Sequence, residues 1–236
     1  MRRFFVSSEN FYEPEINLSL DESKHLREVL RLRPGDEVCV FDGKGNEHLC
    51  VVQEIGAKKN ASILRILYKI SPTSPESELD LTLAVALLKG EKFDLVVQKA
   101  VELGITKLIP LSTKRGDSKI VRLERWQKIS IEAAKQSGRA KLMKISELRD
   151  FEDFVEDSEG MRILFSERNG ETFSAIEKSK KITAVIGSEG GWETSEIELA
   201  KSNYFQIITL GGRILRAETA AITIAAILQN RFGDLN

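Results

Sequence analysis

Histidine, cysteine and proline are scarce in this 236-residue chain, and the first two scarcities remove whole classes of chemistry. The only histidines, His25 and His48, stand before residue 50, and no Gly-x-Ser-x-Gly occurs, so a Ser-His-Asp hydrolase has no support. Cys39 and Cys50 have no Cys-x-x-Cys partner and are too few for a zinc site. They read as reduced core filler on neighbouring strands, and with no His, Cys and carboxylate cluster at ligand spacing no metal centre is expected. Gly-x-Gly-x-x-Gly after a first strand and Gly-x-x-x-x-Gly-Lys-Ser/Thr are both missing, which excludes the common dinucleotide and P-loop sites. No apolar run approaches the roughly 20 residues that span a bilayer, and Met1 to Val6 turns polar too soon for a signal peptide. A soluble cytoplasmic protein without a membrane partner is expected.

An excess of one charge is also lacking: 35 basic against 36 acidic residues leave −1, which argues against a uniformly basic nucleic-acid coat. The local distribution is uneven. From Leu111 to Lys141 nine basic residues, among them Lys114, Arg115, Lys119, Arg122 and Arg125, face three acidic ones. From Glu147 to Glu159 the sign reverses, so the pair reads either as two solvated helix faces or as a polyanion site on one side only.

With 42% hydrophobic residues the chain has enough for a core, and its pattern changes near residue 71. Before it, Glu37–Phe41, Glu47–Ile55 and Ala61–Ile70 read as short strands joined by turns at Asp42–Gly45 and Gly56–Asn60, as in a small barrel. Asp21–Leu30 reads as a helix with acids in its first turn, on which Arg27 and Arg31 would share a face; Arg33 follows just before the Pro34-Gly35 turn. Ser71 to Ser77 is the one proline- and serine-rich stretch and the natural linker, giving domains 1–71 and 72–236. After it, strands at Leu79–Leu88, Lys107–Ser112, Met161–Phe165, Ile182–Ile186 and Phe205–Leu210 alternate with helical stretches. That alternation indicates an α/β fold, a parallel sheet with helices on both faces. The last helix, Ala217 to Phe232, has almost no polar side and is expected to be buried, within the domain or against another subunit.

Two glycine-rich loops follow the late strands: Ile186-Gly187-Ser188-Glu189-Gly190-Gly191, and Leu210-Gly211-Gly212-Arg213-Ile214-Leu215-Arg216-Ala217-Glu218-Thr219-Ala220. Ligands of open parallel sheets gather at the carboxyl ends of strands, and glycine lets backbone approach them closely. The groups available there for chemistry are Glu189, Arg213, Arg216, Glu218 and Thr219. An internal salt bridge and helix cap would use the same residues.

These loops resemble the GPEGG and LGxRILRxETA signatures of the RsmE family, SPOUT-superfamily enzymes that methylate N3 of a uridine in 16S ribosomal RNA. Three further segments are similar to the family in the same order: His25 to Gly45, Lys89 to Gly104, and Glu132 to Arg139. The departures are Ser188 in place of a proline, which suggests a less rigid loop, and the lack of a proline after Arg139. The resemblance implies an N-terminal PUA-like β-barrel that binds RNA, a C-terminal SPOUT domain with a deep trefoil knot, and a homodimer. It also implies an S-adenosylmethionine pocket involving Leu87, Ile186, Gly187, Glu189, Gly190, Leu210, Gly211, Ile214, Leu215 and Thr219. N3 must lose a proton as its anion spreads onto O2 and O4, so Arg216 is the first candidate to stabilise that charge, with Arg213 behind it. Glu218 and Glu189 compete as the group that orients the arginine or takes the proton. Arg27, Arg31, Arg33, Lys114 and Arg115 are the expected phosphate contacts to ribosomal RNA or the small subunit. A knotted methyltransferase with another target, and a non-catalytic RNA-binding or assembly factor, are the alternatives.

Overall fold

The computed structural model describes residues 1–7, 11–12, 14–57, 60–116 and 120–235. Two compact units divide the chain, Met1–Glu76 with Ala134–Leu142, and Ser77–Ala133 with Met143–Asn236. The division falls after Glu76 because the expected linker is tied into the first unit. Thr73 donates its amide and hydroxyl to Glu47 (3.0 and 2.9 Å), and Glu76 accepts from Arg139 at 2.7 Å.

The first unit contains β1 (Arg3–Phe5), β2 (Phe11–Tyr12), β3 (Glu15–Asn17), β4 (Glu37–Phe41), β5 (Glu47–Glu54) and β6 (Ile63–Ile70). They form one sheet in the order β1-β4-β5-β6-β3-β2, antiparallel except for β1 beside β4. Phe4, Ile16, Leu26, Val38, Val40, Cys50 and Leu64 fill its core. Glu47 is fully buried and ion-paired with Arg3, a pairing its desolvation requires. Both cysteines are free and buried on the adjacent β4 and β5, as expected. Lys58 and Lys59, in the expected turn before β6, lie outside the described residues.

Between β3 and β4, α1 (Leu20–Lys24) starts at Ser19, whose hydroxyl accepts from the Glu22 amide at 3.1 Å. It continues as a π-helical turn, His25–Val29. Arg27 and Arg31 do not share a helix face. The helix ends before Arg31, which takes a left-handed φ of 52°, and Arg27 folds back to donate to the Gly56 carbonyl (2.7 Å) and pair with Glu28 (3.0 Å). Arg31 and Arg33 are exposed.

The second unit runs β7 (Asp80–Ala86), α2 (Lys92–Glu102), β8 (Lys107–Ser112), α3 (Leu123–Ser137), β9 (Lys144–Ile145), β10 (Arg149–Asp150) and α4 (Phe151–Asp157). It closes with β11 (Met161–Phe165), β12 (Glu171–Thr172), β13 (Lys181–Ile186), α5 (Thr194–Ser202), β14 (Gln206–Thr209) and α6 (Ala217–Phe232). The last residues of α3 and those that follow it, 134–142, belong to the first unit. The sheet order is β10-β8-β7-β13-β11-β14-β12, with β9 beside β8 and every pairing parallel. Two late strands are each inserted between earlier ones, β13 between β7 and β11, and β14 between β11 and β12.

α4 and α5 pack with Ala84, Ile109, Leu111, Leu164 and Val185, and side chains alternate along each strand, so the opposite set is left for α2 and α6. The Trp126 ring on α3 lies 4.5 Å from that of Phe93, and its Nε1 donates to Asp94 at 3.0 Å. Within the single chain α6 is covered on one side. Ala221, Ile224, Ala225 and Leu228 are buried, but Thr219 is exposed and Ile222, Ala226 and Ile227 are only partly covered, because α6 has neighbours on one side.

Candidate functional site

Loops from β11, β13 and β14 meet at the carboxyl edge of the sheet and line a cavity that is partly open to solvent. From the β11 loop come Ser166 and Glu167; from β13 and its loop Ile186, Gly187, Ser188, Gly191 and Trp192. Thr209, Leu210, Arg213 and Leu215 supply the third wall, and Ala217, Ala220 and Ile224 of α6 the floor. Of the residues expected to hold a cofactor, Ile186, Gly187, Leu210 and Leu215 line it. Leu87, Glu189, Gly190, Gly211, Ile214 and Thr219 are not among its lining residues. Leu87 directly follows β7, and its amide donates to the Leu111 carbonyl at 2.9 Å.

The shape of the wall follows from its glycines. Gly191 has φ 70°, and its amide donates to the Ser188 carbonyl at 3.0 Å, closing a tight turn. Ser188 stiffens that turn, since its hydroxyl accepts from the Gly190 amide at 3.3 Å. Trp192, buried at 5% exposure, lies against Gly187 and donates Nε1 to the Phe165 carbonyl at 2.9 Å. The sequence reading missed Trp192, Glu167, Ser166 and, on α6, Ile224. The signals were an aromatic directly after the glycine pair and a third strand ending at the same edge.

The expected reacting groups are brought to this edge in different states. Arg216 is exposed and precedes the first residue of α6; Arg213 is exposed and lines the cavity. Glu218, in the first turn of α6, is 9% exposed, and its Oε2 is buried with no partner among the described residues. Glu189 is already engaged, accepting from Lys92 Nζ at 2.8 Å. Partial burial works to raise its carboxyl, and the hydrogen bonds from Lys92 and from backbone amides outweigh that, leaving it below the usual carboxylate range.

Five of the nine basic residues of the run have polar partners within the chain. Arg125 pairs with Asp94 (2.7 Å), Arg139 with Glu76 (2.7 Å) and Lys135 with Glu22. Lys114 donates to Ser195 (3.1 Å) and lies 3.5 Å from Glu152. Arg115 pairs with Glu193 at 2.8 Å, a hydrogen bond that also holds the Glu193 carboxyl below its usual range. Lys119 lies outside the described residues.

Among known proteins, the RNA methyltransferase domain family matches residues 75–229, and the RNA methyltransferase PUA domain family matches residues 19–64. The fold and cavity are thus those of an α/β RNA methyltransferase domain preceded by a PUA domain. Curated relatives narrow the class. The chain is 35% identical to ribosomal RNA small subunit methyltransferase E of Rickettsia conorii, covering 95% of this chain and 93% of the relative. It is 36% identical to the Synechocystis protein of the same name, covering 92% and 74%. This chain belongs to the ribosomal RNA small subunit methyltransferase E family. The Neisseria gonorrhoeae member bound to S-adenosyl methionine superposes with a TM-score of 0.91 at 32% identity, covering 100% of both chains. A Legionella pneumophila methyltransferase with bound SAM gives 0.92 at 30% identity, covering 99% of this chain and 98% of that one.

Proposed function

We propose that this chain methylates N3 of a uridine in small-subunit ribosomal RNA with S-adenosylmethionine as donor, acting as a knotted homodimer in the cytoplasm. The observation that carries the reading is the glycine-walled cavity floored by the start of α6, where Glu218, next in sequence to the lining residue Ala217, has a buried oxygen with no partner among the described residues. An unpaired buried carboxylate oxygen is costly, so it suits a site completed by a ligand. The cavity also fits the cofactor in chemistry. Ile186, Leu210, Leu215 and Ile224 offer apolar contact, the glycine turns offer backbone, and Glu167 and Arg213 provide one charge of each sign. S-adenosylmethionine, when bound, supplies a methyl group activated on a sulfonium.

The chain's own work is to hold the base and remove its proton. Uracil N3 lies on the Watson-Crick edge, so the uridine must be unpaired or turned out of its stack. Glu218 Oε2 accepts the N3 proton, directly or through one water, and the exposed Arg216 guanidinium donates to O2 or O4 as negative charge develops. Glu189 is the weaker candidate base because Lys92 occupies it. Arg31 and Arg33 act as phosphate contacts that orient the RNA without reading its sequence. The half-covered side of α6, with Ile222 and Ala226, supplies the dimer surface.

The test separates binding from chemistry. Arg216→Ala and Glu218→Gln are expected to keep cofactor binding by calorimetry while losing about 10²-fold or more of methyl incorporation into unmodified small subunits. Turnover within threefold of the parent protein by either variant would remove the role assigned to that residue.

A further inference from the structure

The glycine turn between β13 and α5 is built from small residues that fill little space of their own, so its position depends on what holds it from outside. It is fastened from both sides. The Glu189 carboxylate accepts from Lys92 Nζ at 2.8 Å, which ties the turn to the start of α2. On the other side Arg115, in the loop after β8, donates Nη1 to the Gly190 carbonyl at 3.2 Å and Nε to Glu193 at 2.8 Å. The approach is close. A Cβ built on Gly190 would stand 2.9 Å from Arg115 Cβ and 3.1 Å from its carbonyl oxygen, so the two backbones meet only because residue 190 has no side chain. The anchorage continues into α5, where buried Glu196 accepts from the Lys114 amide (2.9 Å) and the Glu193 amide (2.8 Å). Segments after three adjacent strands, β8, β7 and β13, are thereby joined into one rim.

We infer that Arg115 is a positioning residue for the cofactor site: its forked guanidinium latches Gly190 and Glu193 to the loop after β8 and so fixes the wall formed by Gly187, Ser188 and Gly191, with Lys92 holding the opposite side. The inference rests on the cofactor reading above and reassigns Arg115 from the phosphate contact that its charge suggests. The guanidinium is held inside the chain on two acceptors that are sequence neighbours of the lining residues Gly191 and Trp192. Lysine is a poor substitute, because a single ammonium cannot span Glu193 and the Gly190 carbonyl as a planar fork does.

Three measurements on the full chain test this. In Arg115→Ala, amide hydrogen exchange at Gly190 and Gly191 is expected to speed up, while β7 and β13 exchange as before. Affinity for S-adenosylmethionine by calorimetry is expected to fall about three- to tenfold, the scale of two exposed charge-assisted contacts. The salt slope of RNA binding is expected to stay unchanged. Arg115→Lys should recover part of the affinity, and Arg115→Ala made in a Glu193→Gln background should cost less than it does alone. Unchanged exchange at Gly190 and Gly191 overturns the latch. A salt slope lowered by about one with cofactor affinity intact makes Arg115 a phosphate contact instead. A parent protein that binds no S-adenosylmethionine, yet shows faster exchange in the variant, refutes the cofactor reading and leaves the latch standing.

Discussion

Gly187→Ala places one methyl group where the account allows none. The backbone itself tolerates alanine here, because Gly187 is not among the glycines at positive φ. The obstacle is Trp192. A Cβ on residue 187 would meet Cε2 of the indole at 2.9 Å and Nε1 at 3.1 Å, so the ring must retreat by about 0.5 Å or more to reach ordinary contact. It has little room, being packed against Phe151 with ring centroids 4.9 Å apart and bonded through Nε1 to the Phe165 carbonyl at 2.9 Å. Overpacking of a core costs about 1–3 kcal/mol, and the strained hydrogen bond adds about 1 kcal/mol, so a loss of about 2–4 kcal/mol is expected. For a chain of this length each kcal/mol shifts Tm by about 2–4 °C, which gives a fall of about 4–16 °C by calorimetry. Because Trp192 and Phe165 also line the cavity, cofactor affinity measured well below that melting point should fall as well. A variant that melts within 1 °C of the parent and binds S-adenosylmethionine equally would refute the packing argument.

Other parts of the molecule give independent tests. Tyr204 is 87% exposed with φ 62° just after α5, where Phe205 donates to the Ala200 carbonyl at 3.0 Å to close the helix end. Glycine suits that left-handed position, so Tyr204→Gly should raise stability by up to about 1 kcal/mol, or roughly 2–4 °C in Tm; a drop would mean that Tyr204 makes a stabilising contact. Burial, with the nearby Glu47 charge, pushes the Cys39 thiol up to about 11, and burial with Cys39 beside it pushes Cys50 up to about 12. Neither thiol should react with a disulfide reagent at pH 8 in the folded protein, whereas both react in denaturant. The folded Glu189 carboxyl titrates below its ordinary value, so its contribution is complete above the unfolded value of about 4.3 and is lost as pH falls through the lower folded one. Lys92→Met should therefore melt below the parent at pH 6–7 and converge with it in acid; a gap that stays constant down to pH 3 would assign the lysine's effect to packing.

Much of the second unit was legible because its signals are local. β8, β11 and α6 begin and end at the residues that periodicity and flanking glycines indicated, and the parallel sheet follows from strands alternating with helices. What the sequence concealed depends on partners far along the chain. Arg139, Lys135 and Arg125 looked like an RNA-facing surplus until Glu76, Glu22 and Asp94 came to meet them. Ser71 to Ser77 looked like a linker because nothing local announces that buried Glu47 takes its donors from Thr73. Arg31 was placed on a helix face by spacing, but a π-helical turn and a left-handed residue ended that helix first. At the site, motif resemblance marked both glycine loops. Glu167 belongs to the site only because β11 ends at the same edge, a consequence of strand order that no single stretch encodes.

The most direct test of the central claim is nucleoside analysis by mass spectrometry after incubating the full chain and S-adenosylmethionine with small ribosomal subunits that lack the modification. One new 3-methyluridine per subunit, absent when Glu218→Gln replaces the parent, is the expected result. A methylated product at any other base atom, or none in a preparation that demonstrably binds the cofactor, would contradict the account.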